Sequence, residues 1–371
     1  MLRGVCTDSR QSIKMRLTWT RDGERVSNST NGRNGRPTLR DIADAVGVST
    51  ALVSFAINNR PGVSPDTKAR ILAEAQRQGY QADPIARSLR TGVSRLYGLV
   101  IRNLQNPYFL DVIGGMQDAA AAVGAGVLVL DADYSTEQEA IHVERLASYR
   151  LDGLAIAPVG AGTIVGRWQE LRPGTPAVII NASVDGYPDV ARVSPDNERA
   201  VRAATTHLAE LGHQRIGFLT APRELMADHD RLQSFLAITE ERRVEPVIVE
   251  TPLNIPDVHQ LVTRRLSEPG APTAFVTNSD FTAHAIYTAV IDLGLEVGKD
   301  VSIVGHDDLP TSRLLHPPLT TMRLDIRAVG RAVFERLTSD AERRVSGSYY
   351  EPVELVVRES TGPAPTAVRP A

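Results

Sequence analysis

Between residues 96 and 307 the chain repeats one pattern: a short apolar run rich in β-branched residues, then, in most cases, a longer stretch of helical character. The runs are LYGLVI (96–101), GVLVLDA (126–132), DGLAIAPV (152–159), AVIINAS (177–183), RIGFLTA (215–221), TAFVTNS (273–279) and VSIVGHD (301–307). Stretches such as YFLDVIGGMQDAAAAVG, TEQEAIHVERLASYR and ERAVRAATTHLAELG stand between them. An unbroken apolar run suits a strand buried on both faces, and parallel strands need a long crossover, usually a helix. The alternation therefore predicts an α/β body of parallel sheets with helices on both faces. At roughly 265 residues, that body is long enough for two lobes.

The pattern differs before residue 95. Residues 1–36 are polar, rich in Ser, Asn, Gly and Arg, and carry no sustained period, so they are expected to be disordered. Order is expected from Thr38, which with Asp41 resembles a capping box. Leu39, Ile42, Ala43 and Val46 share one helical face. Gly47 ends that helix, since glycine reaches the positive φ of a tight turn. Ser49 caps a second helix whose buried side is Val53, Ala56 and Ile57. A third begins at Ser64 as cap, with Pro65 at its first position and Gly79 at its stop. Two short helices around a Gly-containing turn, braced by a third, form the helix-turn-helix plan. That geometry places the front of the second helix in the DNA major groove. Thr50 and Ala51 would face base edges there, while Ser49 and Asn58 would bond phosphates. An ordinary helical hairpin is the plainer reading of the same residues.

Charge distribution bears on that choice. Residues 1–95 hold 16 Lys and Arg against 8 Asp and Glu, a net +8, whereas the whole chain carries −3. The rest therefore carries −11, so only the front of the chain is suited to a polyanion. Cys6 is the only cysteine, which excludes an intramolecular disulfide and a cysteine-based zinc site. No apolar run reaches the roughly 18 residues of a membrane span, and the first thirty residues lack a secretory plan. A cytoplasmic protein, nucleoid-associated when on DNA, is the expectation. There is no G-x-S-x-G elbow, phosphate-cradling G-x-x-x-x-G-K-[ST] or zinc motif, which speaks against an enzyme. His207, His213 and His316 lack ligand spacing, and His213 is expected to satisfy a loop backbone. His229 between Asp228 and Asp230 makes at best a weak metal site. No metal and no cofactor are expected.

After the third helix comes ADPIARSLRTGVS (82–94), a helix-breaking Asp-Pro followed by a short basic stretch. With TLRDIADAVGVSTALVSFAINN, RPGVSPDTKARI, NPYF, ELGHQRIGFL and VSIVGHDD…PPLTT, it gives an ordered set of motifs from about Pro37 to Ser360. In order and spacing this set resembles the lactose/galactose repressor family of bacterial transcription regulators. The resemblance implies a helix-turn-helix domain at 37–82, a hinge at 83–94, and a two-lobed effector-binding and dimerisation domain at 95–360 that resembles periplasmic binding proteins. A disordered tail at 361–371 is expected to follow. The chain would cross between lobes near Val193, Met322 and Val353.

Carried over by position, the resemblance implies DNA contacts from Thr38, Leu39, Ser49, Thr50, Ala51, Ser54, Phe55 and Asn58. In the hinge, Leu89 would wedge into the minor groove beside Ala86. Phe55 departs from the family, where many relatives have arginine; it cannot read guanine and would instead touch a thymine methyl. For the effector, a sugar or sugar derivative, the positions are Asn103, Tyr108, Phe109, Asn181, Arg231, Asn278 and Asp307. Asn103, Asn181, Asn278 and Asp307 lie at strand ends, where loops converge on an α/β ligand crevice. Arg231 has the forked donors for hydroxyls or carboxylates. Here Asn278-Ser279 stands where the family usually has Asn-Asp, and Asp280 comes one place later. The implied protein is a homodimer on pseudo-palindromic double-stranded operator DNA, a repressor that the effector releases, with no leucine heptads for further assembly. A solute-binding protein for a transporter would share the body but not the basic front.

Overall fold

The computed structural model describes residues 37–81, 92–184, 186–222, 224–225, 229–339 and 348–366. The extension 1–36, hinge residues Ala86 and Leu89, and residues 367–371 lie outside these. The chain forms two compact units, Met1–Asp83 and Pro84–Ala371.

The first unit is three helices: α1 (Leu39–Val46), α2 (Thr50–Ile57) and α3 (Pro65–Arg77). Thr38 and Asp41 form the capping box: the Thr38 amide donates to Asp41 Oδ2 at 2.7 Å and the Asp41 amide to Thr38 Oγ1 at 3.4 Å. Gly47 ends α1 at φ 72°, where a Cβ would be strained. Two residues later Ser49 Oγ accepts from the Leu52 amide and starts α2. Ile42, Ala43, Val53, Ala56, Ile71 and Ala75 form the core, with Leu39, Val46 and Ile57 packed on it. Each helix supplies a pair, so no two of them bury their apolar faces without the third.

The second unit contains two six-stranded sheets. The first has order β11-β5-β4-β3-β1-β2, with β1 (Leu96–Ile101), β2 (Gly126–Asp131), β3 (Gly153–Ile156), β4 (Ala177–Ile180), β5 (Ala191–Pro195) and β11 (Tyr349–Glu351), all parallel. Side chains alternate across it. Leu99 and Ile101 meet Val112 and Met116 of α4 (Tyr108–Ala122) and Val329 and Val333 of α11 (Ile326–Thr338). Val100 instead meets Val143 of α5 (Thr136–Ser148) and Trp168 of α6 (Ile164–Leu171).

The second sheet has order β12-β10-β9-β8-β6-β7, built from β6 (Arg215–Thr220), β7 (Glu245–Glu250), β8 (Ala274–Val276), β9 (Ser302–Asp307), β10 (Thr320–Arg323) and β12 (Glu354–Val356); only β12 is antiparallel. α7 (Asn197–Glu210) and α8 (His229–Arg242) cover one face, and α9 (Ile255–Ser267) and α10 (Asp280–Asp292) the other. The chain passes between the sheets after β5, after β10 and between β11 and β12, each within about three residues of the expected positions.

All seven sequence runs are strands, but β5, β7 and β10–β12 were not among them. β7 is an edge strand with half its residues exposed, and in β5 (ARVSP), β10 (TTMR), β11 (YYE) and β12 (ELV) polar or charged residues interrupt the apolar run. The expected disordered tail is corrected at residues 361–366. His213 Nε2 pairs with the Gly362 carbonyl, His207 with Thr361 Oγ1, and the Ala364 amide donates to the Leu211 carbonyl. That stretch is fastened to the second lobe. Among the described residues no helix is long and apolar enough to cross a membrane.

Candidate functional site

The parallel strands β1, β4, β6, β8 and β9 all end toward a cleft between the lobes. Crevices at carboxyl ends of parallel strands are where α/β proteins place ligands, because the loops there are free to vary while the sheet holds them. From the first lobe Tyr108, Phe109 and Asn181 line it, and from the second Arg231, Asn278 and Asp307. Six of the seven residues assigned to the effector thus share one cavity. Asn103 does not line it: its amide donates to Asp133 Oδ1 at 2.9 Å and its oxygen accepts from the Gln105 amide at 2.6 Å. It braces the loop after β1.

Its neighbour Arg102 takes the cleft position and donates to the carbonyls of Pro158 and Asn181. Arg102, Asn106, Tyr134, Ala221, Leu225, Leu253 and Ser279 complete the lining and were not among the residues expected from the sequence. A charged residue at the end of an apolar strand was the available signal for Arg102; the others sit in loops or helix starts without a period.

Arg231 is buried and held on two sides, by Asn197 Oδ1 at 2.7 Å and the Asn278 carbonyl at 2.6 Å. Asn197 also donates to Asn181 Oδ1 at 3.2 Å, so one chain of hydrogen bonds links lining residues of both lobes. Asp307 is 4% exposed, sits at φ 117°, and leaves Oδ2 without a partner. Burial, reinforced by Asp280 and opposed by Arg231, pushes its carboxyl well above the ordinary range. Tyr108 keeps its hydroxyl unpartnered at 3% exposure, and burial holds it neutral. Buried polar groups without partners are costly, and their convergence on a cleft is the signature of a site completed by a ligand.

The displaced aspartate has a different task. Asp280 is fully buried and accepts from the Leu309 amide (2.9 Å), Ser312 Oγ (2.5 Å) and Thr321 Oγ1 (2.6 Å), with burial raising its pKa to about 7. It ties down the segment after Asp307 and does not line the cleft. Gly305 is required beside it, because a Cβ there would strike Asp280 Oδ1. Among the described residues no cluster of His, Cys, Asp and Glu could hold a metal.

In the first unit, Ser49, Thr50, Ala51 and Phe55 are exposed, and Ser54 and Asn58 half-buried, along the side of α2 opposite Val53 and Ala56. Phe55 is 39% exposed, a large apolar ring at a surface. The Asn58 amide donates to the Ser54 carbonyl at 2.7 Å. Thr38 is exposed and Leu39 half-buried at the start of α1. The basic excess is not on this unit: residues 37–81 hold five Lys and Arg against four Asp and Glu. Most of it lies outside the described residues, in 1–36 and around the hinge.

A three-helix unit exposing one face of its second helix, joined to a two-lobed body with a polar cleft between the lobes, defines a ligand-responsive DNA-binding regulator. Residues 38–83 match the family model for bacterial regulatory proteins, lacI family, and residues 205–361 the model for a periplasmic binding protein-like domain. The chain is 30% identical over 328 residues to the ribose operon repressor of Halalkalibacterium halodurans, covering 87% of this chain and 97% of that protein. It is 29% identical over 337 residues to the HTH-type transcriptional repressor CytR of Escherichia coli K12, covering 88% and 97%. Among solved structures, the lac repressor dimer bound to operator and the anti-inducer ONPF superposes with a TM-score of 0.80 at 28% identity, over 88% of this chain and 99% of that one. The chain belongs to the lacI family of bacterial regulatory proteins: it is a transcription regulator and not an enzyme.

Proposed function

We propose that the protein represses transcription by binding a pseudo-palindromic operator as a dimer, and releases it when a small neutral sugar fills the interlobe cleft. The observation that carries the effector half is the set of unpaired buried atoms, Tyr108 Oη and Asp307 Oδ2, facing one cavity beside Arg231. Sugars match it: their hydroxyls donate to a carboxylate, and their C–H faces pack on rings such as Tyr108 and Phe109, which meet edge to face at 5.2 Å.

For the DNA half, Thr50 and Ala51 read base edges, Phe55 touches a thymine methyl, and Ser49 and Asn58 bond phosphates. Thr38, Leu39 and Ser54 flank them, and Ala86 with the Leu89 wedge engages the minor groove from the hinge at 83–94. One such head offers a small interface, so tight binding needs the two heads of a dimer on two half-sites. An effector that prefers one lobe arrangement changes DNA affinity by its differential affinity alone. The relatives support this reading: one is named for the ribose operon, and another was solved as a dimer on operator. Such a regulator works in the cytoplasm, on the nucleoid.

The test is a thermal-unfolding panel of neutral sugars followed by operator titration. A ligand at about 100 times its Kd adds roughly 2.7 kcal/mol. A panel without a single shift sinks the sugar reading, and failure to bind any duplex returns the solute-binding alternative.

A further inference from the structure

Where the proposed hinge meets the body, one carboxylate holds the chain at three points. Asp152 Oδ1 accepts from the Ser94 amide and from Ser94 Oγ, each at 3.0 Å, and Asp152 Oδ2 accepts from the Arg95 amide at 2.7 Å. Ser94 Oγ in turn accepts from the Leu96 amide at 3.1 Å. Arg95 sits at φ 55°, a left-handed backbone that a residue with a Cβ keeps only when its surroundings fix it. Its carbonyl accepts from the Gly126 amide at 2.8 Å. The ladder between β1 and β3 begins at Tyr97 and Gly153, so the three bonds to Asp152 act on the residues ahead of it.

Asp152 does not line the cleft, yet it lies on strands that reach it. Ser94 and Arg95 precede β1, and Asp152 precedes β3, its neighbour in the sheet. The opposite ends of the same two strands carry Arg102, which lines the cleft, and Pro158, whose carbonyl accepts from Arg102 at 2.9 Å. Six residues of β1 at about 3.3 Å each put the two ends roughly 20 Å apart. A strand pair bonded along its length moves as one body. A turn of the first lobe therefore reaches the hinge only where the hinge is fixed to these strands, and Ser94 and Arg95 are that fixed point.

Resting on the hinge and dimer reading above, we propose that Asp152 is a positioning residue for DNA binding. It fixes the heading at which the hinge leaves the first lobe, and thereby the separation at which the two heads of the dimer meet their half-sites.

The experiment uses the full-length protein and the duplex that wild type selects from a random pool, beside the same duplex lengthened or shortened at its centre by two base pairs. Calf-thymus DNA reports non-specific binding, and thermal unfolding reports the body. Wild type is expected to bind the selected spacing at least about tenfold more tightly than the altered ones, since half-site separation follows from the geometry of the dimer. Asp152→Ala should lose about tenfold on the selected spacing and change by less than about twofold on the altered duplexes and calf-thymus DNA, so that the preference disappears. Ser94→Ala removes the hydroxyl bonds but keeps both amides paired, and should reduce the preference about threefold. Asp152→Ala decides the matter if it folds, and Ser94→Ala if it does not. A variant that melts lower than wild type but keeps the full spacing preference makes Asp152 a brace of the body only and overturns the proposal, as does an equal loss on every duplex. If wild type itself shows no spacing preference, the dimer reading fails and takes this inference with it.

Discussion

Asp307→Asn should separate stability from response in a single substitution. The carboxyl is 4% exposed, with Oδ2 unpartnered and its pKa pushed well above the ordinary 3.8 by burial. A group whose folded pKa is raised costs nothing below its unfolded value and destabilises increasingly as pH climbs above it. At neutral pH the unliganded protein therefore carries a penalty of about 1–3 kcal/mol at this site. Asparagine keeps the shape and removes the charge. The unliganded variant should melt higher than wild type, by about 2–4 °C per kcal/mol recovered, and the gap should shrink toward pH 4. With sugar bound the sign reverses: an amide cannot accept at both oxygens as the carboxyl does, which leaves a sugar hydroxyl unpaired at a cost of about 1–3 kcal/mol, a Kd roughly 5- to 150-fold weaker. Calorimetric scans with and without the most stabilising sugar check both halves. A variant that melts lower than wild type without ligand, or binds the sugar equally well, refutes the assignment of Asp307 as an unpaired effector ligand.

His213 should make stability fall on acidification. It is fully buried between Thr273 and Ser302, and burial lowers its pKa from 6.5 to about 4. A base with a lowered folded pKa contributes fully above 6.5 and loses that contribution as pH falls toward 4, about 3 kcal/mol in all. Urea unfolding of wild type and His213→Gln at pH 7 and pH 5 should show the wild-type advantage shrinking in acid. Leu89→Ala should weaken operator binding by a few kcal/mol and abolish the bend while sparing non-specific binding, as read by gel mobility on circularly permuted fragments. Substitution of Thr50 or Ala51 should change which half-site is preferred, by about 1–3 kcal/mol per altered contact in competition assays.

The sheets were legible because buried parallel strands are written as continuous apolar runs, as in LYGLVI and RIGFLT. EPVIVE was not, since an edge strand with exposed residues has no such signature. Helix boundaries in the head followed from single residues, Thr38, Gly47, Ser49 and Ser64, whose capping chemistry is local. The cleft was legible where the family's motif and strand-end position coincided, as at Asn181, Asn278 and Asp307, and at Arg231, on α8, from the motif alone. It was missed by one residue at Asn103, because adjacent side chains at a strand end diverge and only the fold decides which enters. The tail at 361–366 reads as Pro- and Ala-rich and frayed, yet it is ordered by hydrogen bonds to His207, Leu211, His213 and Ser302, residues distant in sequence that composition does not reveal.

The central claim is that occupancy of the interlobe cleft governs DNA binding elsewhere in the chain. Its most direct test is operator titration by full-length wild type and Arg231→Ala, each with and without the sugar that stabilises wild type most, with circular dichroism confirming the fold. Arg231 lines the cleft and belongs to the body, while the residues assigned to bases belong to the head. Wild type should lose operator affinity when the sugar is present. Arg231→Ala should bind operator as tightly as wild type without sugar and show no response to it, a repressor that stays on. A variant that responds at wild-type sugar concentrations would place the effector outside this cleft, and one that cannot bind operator even without sugar would show Arg231 to be structural.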